Sequence, residues 1–511
     1  MKTIWLISLL LTLNCVAGET LLFVDDHEIL YRSGTRRQMH VPKRHAGNPL
    51  VVGPTVKNQV SYNSVHRDPE TGRWQMWYQM SGRDTAVCYA ESEDGIVWKK
   101  PELDVVPHVG ITDRNVVLDS VEQYGASVVV DAPGGDPERR YKMVYWSIPH
   151  AVPEVEAGKD PRGKNGGMFV AFSADGIHWN KQPGPVLRGA YGRMSEPPKV
   201  GEDHDFGVHS SVSDVLDAMY DAQRKKYVVY AKAWIDAPDG MTYWKRAIVL
   251  TESDDFVKWS APQLVMAPDE FDGVRPADYP GTRRGVQLHG APAFLHHGVY
   301  FALVQVADFE THGLQPIELA ISRDGIAWQR PFRSTPFMGA VENGNGFDAS
   351  RIFSNATPVV LEEEMRFYYA GAENPWQFGK RANEWGSKKR MPKTGVGLAT
   401  LPLDRFAGVK PLEKLGQITL KPRTLSGIQK LTLNADAGGG GVRVELLDER
   451  GYKLPGFTRT DAVPIAGDGL RHEVKWKKAD LSRLPMPPEG KVIIRIHLDN
   501  AEAFALTLHD L

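Results

Sequence analysis

Four titratable side chains stand where a polar segment gives way to an apolar strand: Glu122 in DSVEQYGAS, Asp214 in SVSDVLDAMYD, His289 in VQLHGAP and Asp348 in NGNGFDASRIF. Carboxylates brought face to face do general acid–base work when one stays ionised while burial or a neighbouring charge keeps the other protonated. Asp214, Asp348 and Glu122 form the candidate carboxylate set, and His289 is an alternative acid because imidazole titrates near neutrality. Each has a plainer reading: Asp348 as a cap on the next strand, Glu122 as a solvated loop residue, His289 as a core histidine. Asn63 and His66 in YNSVHRD, with Asp217, Gln287 and Arg351, occupy similar strand entries and are candidate binding groups. Asp217 has the alternative of pointing between neighbouring elements. Arg37, His40 and His45 lie in RRQMHVPKRHAGNPLV. Guanidinium forks match oxyanions, so this loop suits an anionic ligand, although a solvated basic loop explains it equally well.

These residues are far apart in sequence, so a repeated architecture has to bring them together. Ser-x-Asp-Gly-Ile-x-Trp appears as SEDGIVW from Ser92, SADGIHW from Ser173 and SRDGIAW from Ser322, with a worn copy, SDDFVKW, from Ser253. Upstream of each lies a strand, a polar turn and an aromatic, β-branched strand. A fifth such unit, ATPVVLEEEMRFYYAGA, lacks the Ser-x-Asp-Gly turn and closes on TGVGLATLPLDRF. Four antiparallel strands per unit and five units predict an all-β chain built on a five-bladed propeller over residues 19–408. Asp94, Asp175 and Asp324 are read as turn residues: Ser and Asp bond nearby amides, Gly takes positive φ, and Ile and Trp pack between blades. Asp68, Asp131 and Asp221 are read likewise as strand-end turn residues.

Residues 409–511 change to shorter alternating strands without a blade signature, predicting a small β-sandwich with no convergent acid or His cluster. Residues 1–18, MKTIWLISLLLTLNCVAG, have the layout of a secretory signal peptide and imply a secreted or periplasmic chain. Their apolar run is too short for a membrane span, and no later segment is apolar enough. Cys88, in the alternating strand TAVCYAES, then has no internal partner and reads as a buried small hydrophobe. A net charge of −2 gives no basic stripe for nucleic acid. Zinc-ligand spacing, a phosphate-cradling Gly loop before a helix, and a Gly-x-Ser-x-Gly elbow are all missing from the sequence.

The five units, WQMWYQ, the SxDGIxW hairpins and GVGLATLPLDRFAG together resemble the five-bladed propeller glycoside hydrolases of families 32, 43, 62, 68 and 117. The resemblance covers residues 30–408, and a small sandwich often follows such propellers. It implies a hydrolase of terminal sugars on a polysaccharide or oligosaccharide, using carboxylates at the propeller mouth and requiring no cofactor; a structural Ca²⁺ is compatible with such propellers. It also implies an Asp near blade one, where this chain offers Asn63, Ser64 and His66 instead. Members similar to family 117 use a histidine acid, which fits His289. Two alternatives follow: a glycan-binding propeller without catalysis, and a glycoside phosphorylase on the same fold. Sialidase hairpins are similar too, but their Gly stands one residue further from Asp.

Overall fold

The computed structural model describes residues 18–81, 85–107, 110–119, 124–147, 166–189, 212–235, 245–272, 285–309, 313–339, 346–354, 358–376, 390–485, 487 and 489–510. The expected signal peptide up to residue 17 and Glu122 lie outside them. The chain forms two compact units, one of Val41–Leu401 and one joining Met1–His40 to Pro402–Leu511.

The first unit is a five-bladed propeller of antiparallel sheets. Blade one runs outward from the inner strand Val60–Arg67 through Trp74–Ser81 and Thr85–Ser92 to Val116–Asp119. Blade two runs from Tyr124–Val130 through Tyr141–Ser147 and Gly167–Ser173, and blade three from Leu216–Asp221 through Lys226–Ile235 and Lys245–Ser253 to Gln263–Met266. Blade four begins with Val286–Gly290 and Ala293–His296, both pairing Val299–Asp308, followed by Ile317–Ser322 and Trp328–Gln329. Blade five has Arg351–Phe353 and Val359–Val360 on Glu364–Ala372, then Thr394–Pro402. Its outermost strand is Lys43–Arg44, from the other end of the chain. The fifth unit therefore needs no hairpin of its own, which explains its missing Ser-x-Asp-Gly turn.

The apolar core lies between blades, as in Trp77 with Tyr141 or Tyr230 with Tyr300. The repeated hairpin latches those junctions. Asp94 Oδ1 accepts from the Ile96 and Val97 amides at 2.8 and 2.9 Å, while Ser92 Oγ accepts from Gly95. The Asp175, Asp255 and Asp324 turns repeat this geometry. The glycine carbonyl then accepts from an aromatic of the preceding blade: Gly95 from Tyr368, Gly176 from Trp77, Gly325 from Tyr230, at 2.7–2.9 Å. A Cβ on Gly176, at φ +78°, would stand 2.6 Å from the Trp77 ring. The worn copy obeys the same logic. Phe256 takes φ +65° in place of glycine. The register position that holds Trp77 and Tyr230 in their blades holds the smaller Val144 in blade two, and Val144 and Phe256 share one core cluster.

Inner strands are tied in sequence around the axis. Ser64 Oγ accepts from the Val128 amide at 3.1 Å, Ser127 Oγ from Ala218 at 3.0 Å, and Asp217 Oδ2 from Ala291 at 3.3 Å. Asp217 thus occupies the position of Ser64 and Ser127. Asp68, Asp131 and Asp221 also act between blades, bonding Arg140, Tyr227 and Tyr300 of the next blade. Cys88 is fully buried, and burial pushes its thiol pKa up, as a scaffold role requires.

The second unit corrects the expected boundary. Strands Gly18–Leu22, Ile29–Ser33 and Thr35–Met39 join a nine-stranded sheet with the five C-terminal strands and Ala407–Pro411. Leu21 to Val24 are all buried, so this segment belongs to a core and not to the propeller. The long strand Lys430–Asp448 serves both parts of the sheet: residues 430–436 pair with Glu502–His509 and 441–448 with Val492–Asp499. The changeover falls at the Gly438–Gly441 run. One acid–His convergence does exist here. Buried Glu445 accepts from Arg495 at 3.3 Å, bonds His497 at 2.9 Å, and is held at a pKa of about 2 despite its burial. Cross-strand register, invisible in sequence, brings these three together.

Candidate active site

Two inner strands change register at the axial end, and each change re-aims one side chain. In blade one, Ser61 pairs Gln79 and Asn63 pairs Tyr78, leaving Tyr62 as the extra residue at φ +44°. In blade four, Leu288 pairs Val306 and Gly290 pairs Gln305, leaving His289. A non-glycine side chain in the left-handed region is held there only when its surroundings over-determine it. Tyr62 packs its ring 5.2 Å from Phe353 of blade five, and His289 packs against Phe353 at 5.8 Å and Trp376 at 5.0 Å. Gly290 is required beside His289, because a Cβ there would meet Val215 of blade three at 2.9 Å.

An amide network fixes His289. Gln305 donates through Nε2 to the Ser354 carbonyl at 2.9 Å, and its Oε1 accepts from Gln315 Nε2 at 3.3 Å. Gln315 in turn accepts from Trp376 Nε1 at 3.1 Å. The Gln305 Oε1 therefore faces His289 Nδ1 at 3.2 Å as an acceptor, which places the imidazole proton on Nδ1 and a lone pair on Nε2. Burial, then Lys232 and Arg246, hold the His289 pKa well below its ordinary value. A neutral imidazole accepts a hydrogen bond or takes a proton; at neutral pH it has none to give from Nε2, so the expected acid role does not suit it.

Asp214 sits at the entry to the inner strand of blade three, partly exposed, accepting from Ser213 Oγ at 3.1 Å and ion-paired to Lys232. Lys232 is 3% exposed, and burial brings its pKa down to about 8, with Asp214 opposing the shift. Trp234 lies two residues along the same strand and so on the same face. Arg246, its register partner, stacks 4.4 Å over the Trp234 ring. Arg246 also donates to Gln287 Oε1 at 2.7 Å, and Gln287 lies two residues before His289. Across His289, Arg351 stacks 4.7 Å over Trp376 and donates to the Asn374 carbonyl and Oδ1 at 2.9 and 2.7 Å. Burial lowers its pKa to about 10.

The structure thus brings Asp214, Gln287, His289 and Arg351 into one axial neighbourhood and adds Tyr62, Lys232, Arg246 and Trp376, which the sequence pattern did not single out. Other candidates are placed elsewhere. Asp348 is buried, accepting from Arg44 Nε at 2.7 Å and Tyr369 OH at 2.8 Å, and so clasps the N-terminal strand that closes blade five. Among the described residues no hydrogen bond or ion pair joins it to Asp214 or His289. His66 bonds the Val128 carbonyl at 2.7 Å between blades one and two, and burial lowers its pKa. Asp217 is the inter-blade tie already described, and burial raises its pKa well above the usual carboxylate range. Asn63 is fully buried beside Tyr62. His45 accepts from the Gly47 amide within its own turn. Arg37 and His40 belong to the other unit. Arg37 donates to the Phe23 and Asp25 carbonyls, each at 2.7 Å, and His40 bonds Glu502 at 2.9 Å.

The described axial residues do not suit a hard divalent cation such as Ca²⁺, which takes six to eight oxygens. Here one carboxylate stands with three cationic side chains. A separate cleft of about 670 Å³ between blades three and four is lined by hairpin residues, including Arg224, Tyr300 and Asp324, and contains none of the axial set.

No protein-family model matches the chain, and no curated protein matches it. Solved structures do. A glycosyl hydrolase from Bacteroides ovatus is 13% identical, with 72% of this chain and 95% of that one covered at a TM-score of 0.44. A thermostable family-43 glycoside hydrolase is 10% identical, covering 70% and 91% at 0.42. Another structure described as a glycoside hydrolase is 15% identical, covering 71% and 92% at 0.43.

Proposed function

We propose that this protein is an exported glycoside hydrolase that removes terminal sugars from a polysaccharide or oligosaccharide at the propeller axis, without a cofactor. The observation that carries the reading is the Asp214 carboxylate, paired with buried Lys232 at the mouth of blade three beside His289 and Trp376. Glycoside hydrolysis needs one ionised carboxylate as base or nucleophile and one protonated acid across the sugar. Asp214 takes the first role, with the Lys232 ion pair fixing its direction. The acid is assigned to Glu122, which lies outside the described residues. The Trp376 ring packs against His289 and Arg351 and holds them at the axis, and His289 Nε2 accepts from a sugar hydroxyl.

The test is product release from a panel of plant and algal oligosaccharides by the whole protein, with and without inorganic phosphate. Free sugar produced without phosphate supports the reading. Saturable binding with no product after long incubation would make the propeller a glycan-binding module, and sugar phosphate formed only with phosphate present would make it a phosphorylase.

A further inference from the structure

The hydrogen bonds behind His289 form a relay whose direction is fixed at both ends by groups that cannot reverse. The Trp376 indole N–H can only donate, and it meets Gln315 Oε1 at 3.1 Å. Gln315 Nε2 must then donate, and it does so to the Ile352 carbonyl at 2.9 Å and to Gln305 Oε1 at 3.3 Å. At the far end the Ser354 carbonyl can only accept, and it takes Gln305 Nε2 at 2.9 Å. One indole and two backbone carbonyls therefore agree on which way both amides face, so neither can flip without leaving a buried group unpaired. Gln305 and Gln315 are fully buried, which removes water as a substitute partner.

Gln305 Oε1 thus reaches His289 Nδ1 as an acceptor, at 3.2 Å, and the ring proton stays on Nδ1. The two nitrogens of an imidazole point in widely divergent directions. With Nδ1 turned to Gln305 on the strand Val299–Asp308, Nε2 is turned away from that strand, on its axial side, and has no hydrogen-bond partner among the described residues. Its lone pair is an acceptor on a residue 3% exposed, packed against the Phe353 and Trp376 rings. Burial, then Lys232 and Arg246, keep the ring from taking a second proton. An ether or ester oxygen, a sulfate or a carboxylate brings only lone pairs to such a nitrogen, whereas a hydroxyl brings the proton it lacks. A site built to bond a hydroxyl discriminates strongly against an analogue without one, because its own buried group is then left unpaired.

We propose that Gln305 and Gln315, acting through His289, determine specificity at the axis: they make His289 the reader of one free hydroxyl, so that the sugar unit seated there is unsubstituted and uncharged at that position. The inference rests on the carbohydrate reading above and holds whether or not the sugar is cleaved. Both glutamines are positioning residues, sealed from the sugar and felt by it only through the imidazole.

Nitrogen-15 NMR of the whole protein, labelled at histidine, tests this in two arms. His289 is assigned by its disappearance in His289→Gln or, if that variant does not fold, by its displacement in Gln305→Met. In the free protein it should show the neutral Nδ1–H tautomer. A proton on Nε2, or a charged ring at neutral pH, overturns the inference and leaves the role of Asp214 untouched. The second arm titrates the methyl glycosides of glucose, galactose, mannose, xylose and arabinose, each beside its mono-O-methyl and monodeoxy derivatives. At least one parent sugar should move the Nε2 resonance, and methylating or removing one of its hydroxyls should weaken binding about tenfold to a hundredfold, the scale of one buried acceptor left unpaired. Gln305→Met strips the acceptor from Nδ1 and frees the proton to move to Nε2, so the methylated derivative and its parent should then bind almost equally. A merely structural role for Gln305 would weaken both alike and keep their ratio, which overturns the inference. If Gln305→Met does not fold, the wild-type tautomer and the methylation series decide without it. Failure of every parent sugar to move Nε2, or methylation without cost at every position, also overturns it. A hydroxyl requirement with no sugar released from any oligosaccharide would end the hydrolase reading and leave this inference standing.

Discussion

Asp217→Ser is the substitution most easily misjudged from sequence, where an aspartate at a strand entry invites a catalytic role. In the structure its Oδ2 accepts one long hydrogen bond from Ala291, at 3.3 Å, and its Oδ1 has no partner among the described residues. A buried acceptor left unsatisfied costs about 1–3 kcal/mol. Serine already makes the equivalent tie from Ser64 and Ser127, at 3.1 and 3.0 Å, and would remove the stranded oxygen. Shortening the side chain gives back about 0.5–1 kcal/mol in lost packing. The net expectation is a gain of about 1 kcal/mol at neutral pH, or about 2 °C in Tm for a unit of this size. The pH dependence has a definite sign. Burial raises the Asp217 pKa above its unfolded value, so native Asp217 binds more protons than the unfolded chain. Its contribution is fully present below the unfolded pKa and is lost as pH rises through the folded one. The advantage of the serine variant should therefore be smallest near pH 4 and grow toward pH 8. Thermal unfolding at both pH values, with an activity assay alongside, decides the matter. Loss of more than about 2 kcal/mol, or lost activity at unchanged Tm, would show that the carboxyl serves the site and that the equivalence with Ser64 and Ser127 is wrong.

Lys232→Met should lower the rate on a cleaved oligosaccharide by about tenfold to a hundredfold, since Asp214 loses the group that orients it. With Lys232 titrating at about 8, wild-type activity should fall above that pH. Stability should rise over the same window up to the unfolded lysine value, because there the unfolded chain holds more protons than the native one. Parallel pH profiles of rate and Tm that move together would contradict this. Asp348→Asn should cost about 1–3 kcal/mol in chemical denaturation by loosening the Arg44 clasp, a figure reduced because Arg44 is a third exposed, and should leave the rate of the folded fraction unchanged. At the blade two–three junction, Val144→Tyr should overpack Phe256 by about 1–3 kcal/mol. Adding Phe256→Gly should give a double variant less destabilised than the sum of the two by about 1–3 kcal/mol, because tyrosine and glycine recreate the latch of the other junctions. Strict additivity would show that the two positions do not meet.

Four of the five blades were legible because they share one hairpin, and Ser92, Asp94 and Gly95 do in space what their types promise. Even the worn copy at Phe256 is explained by its neighbour Val144, although only register pairs the two. The site was less legible because it is built from strand interiors. Lys232 in KYVVYAKAWI is a lone charge inside an otherwise apolar buried strand, and that mismatch was a usable signal. Arg246 and Trp376 carried none, since their meeting with Gln287 and His289 depends on the blade-four strand and its bulge, which no local pattern announces. Asp348 looked catalytic because its partner Arg44 is more than 300 residues away in the chain. The boundary of the propeller was misplaced for a related reason: using Lys43–Arg44 as the last strand of blade five frees the residues before it to pair with the C-terminal sheet.

The central claim is that the axis is a site organised around Asp214, and the initial rate of product release by Asp214→Asn measures it most directly. Asparagine keeps the size and the Ser213 contact while removing the charge that Lys232 faces. On any oligosaccharide the wild type cleaves, the folded fraction of the variant should lose about a thousandfold or more in rate, as expected for a carboxylate acting as base or nucleophile. A variant that folds and cleaves at the wild-type rate would contradict the account.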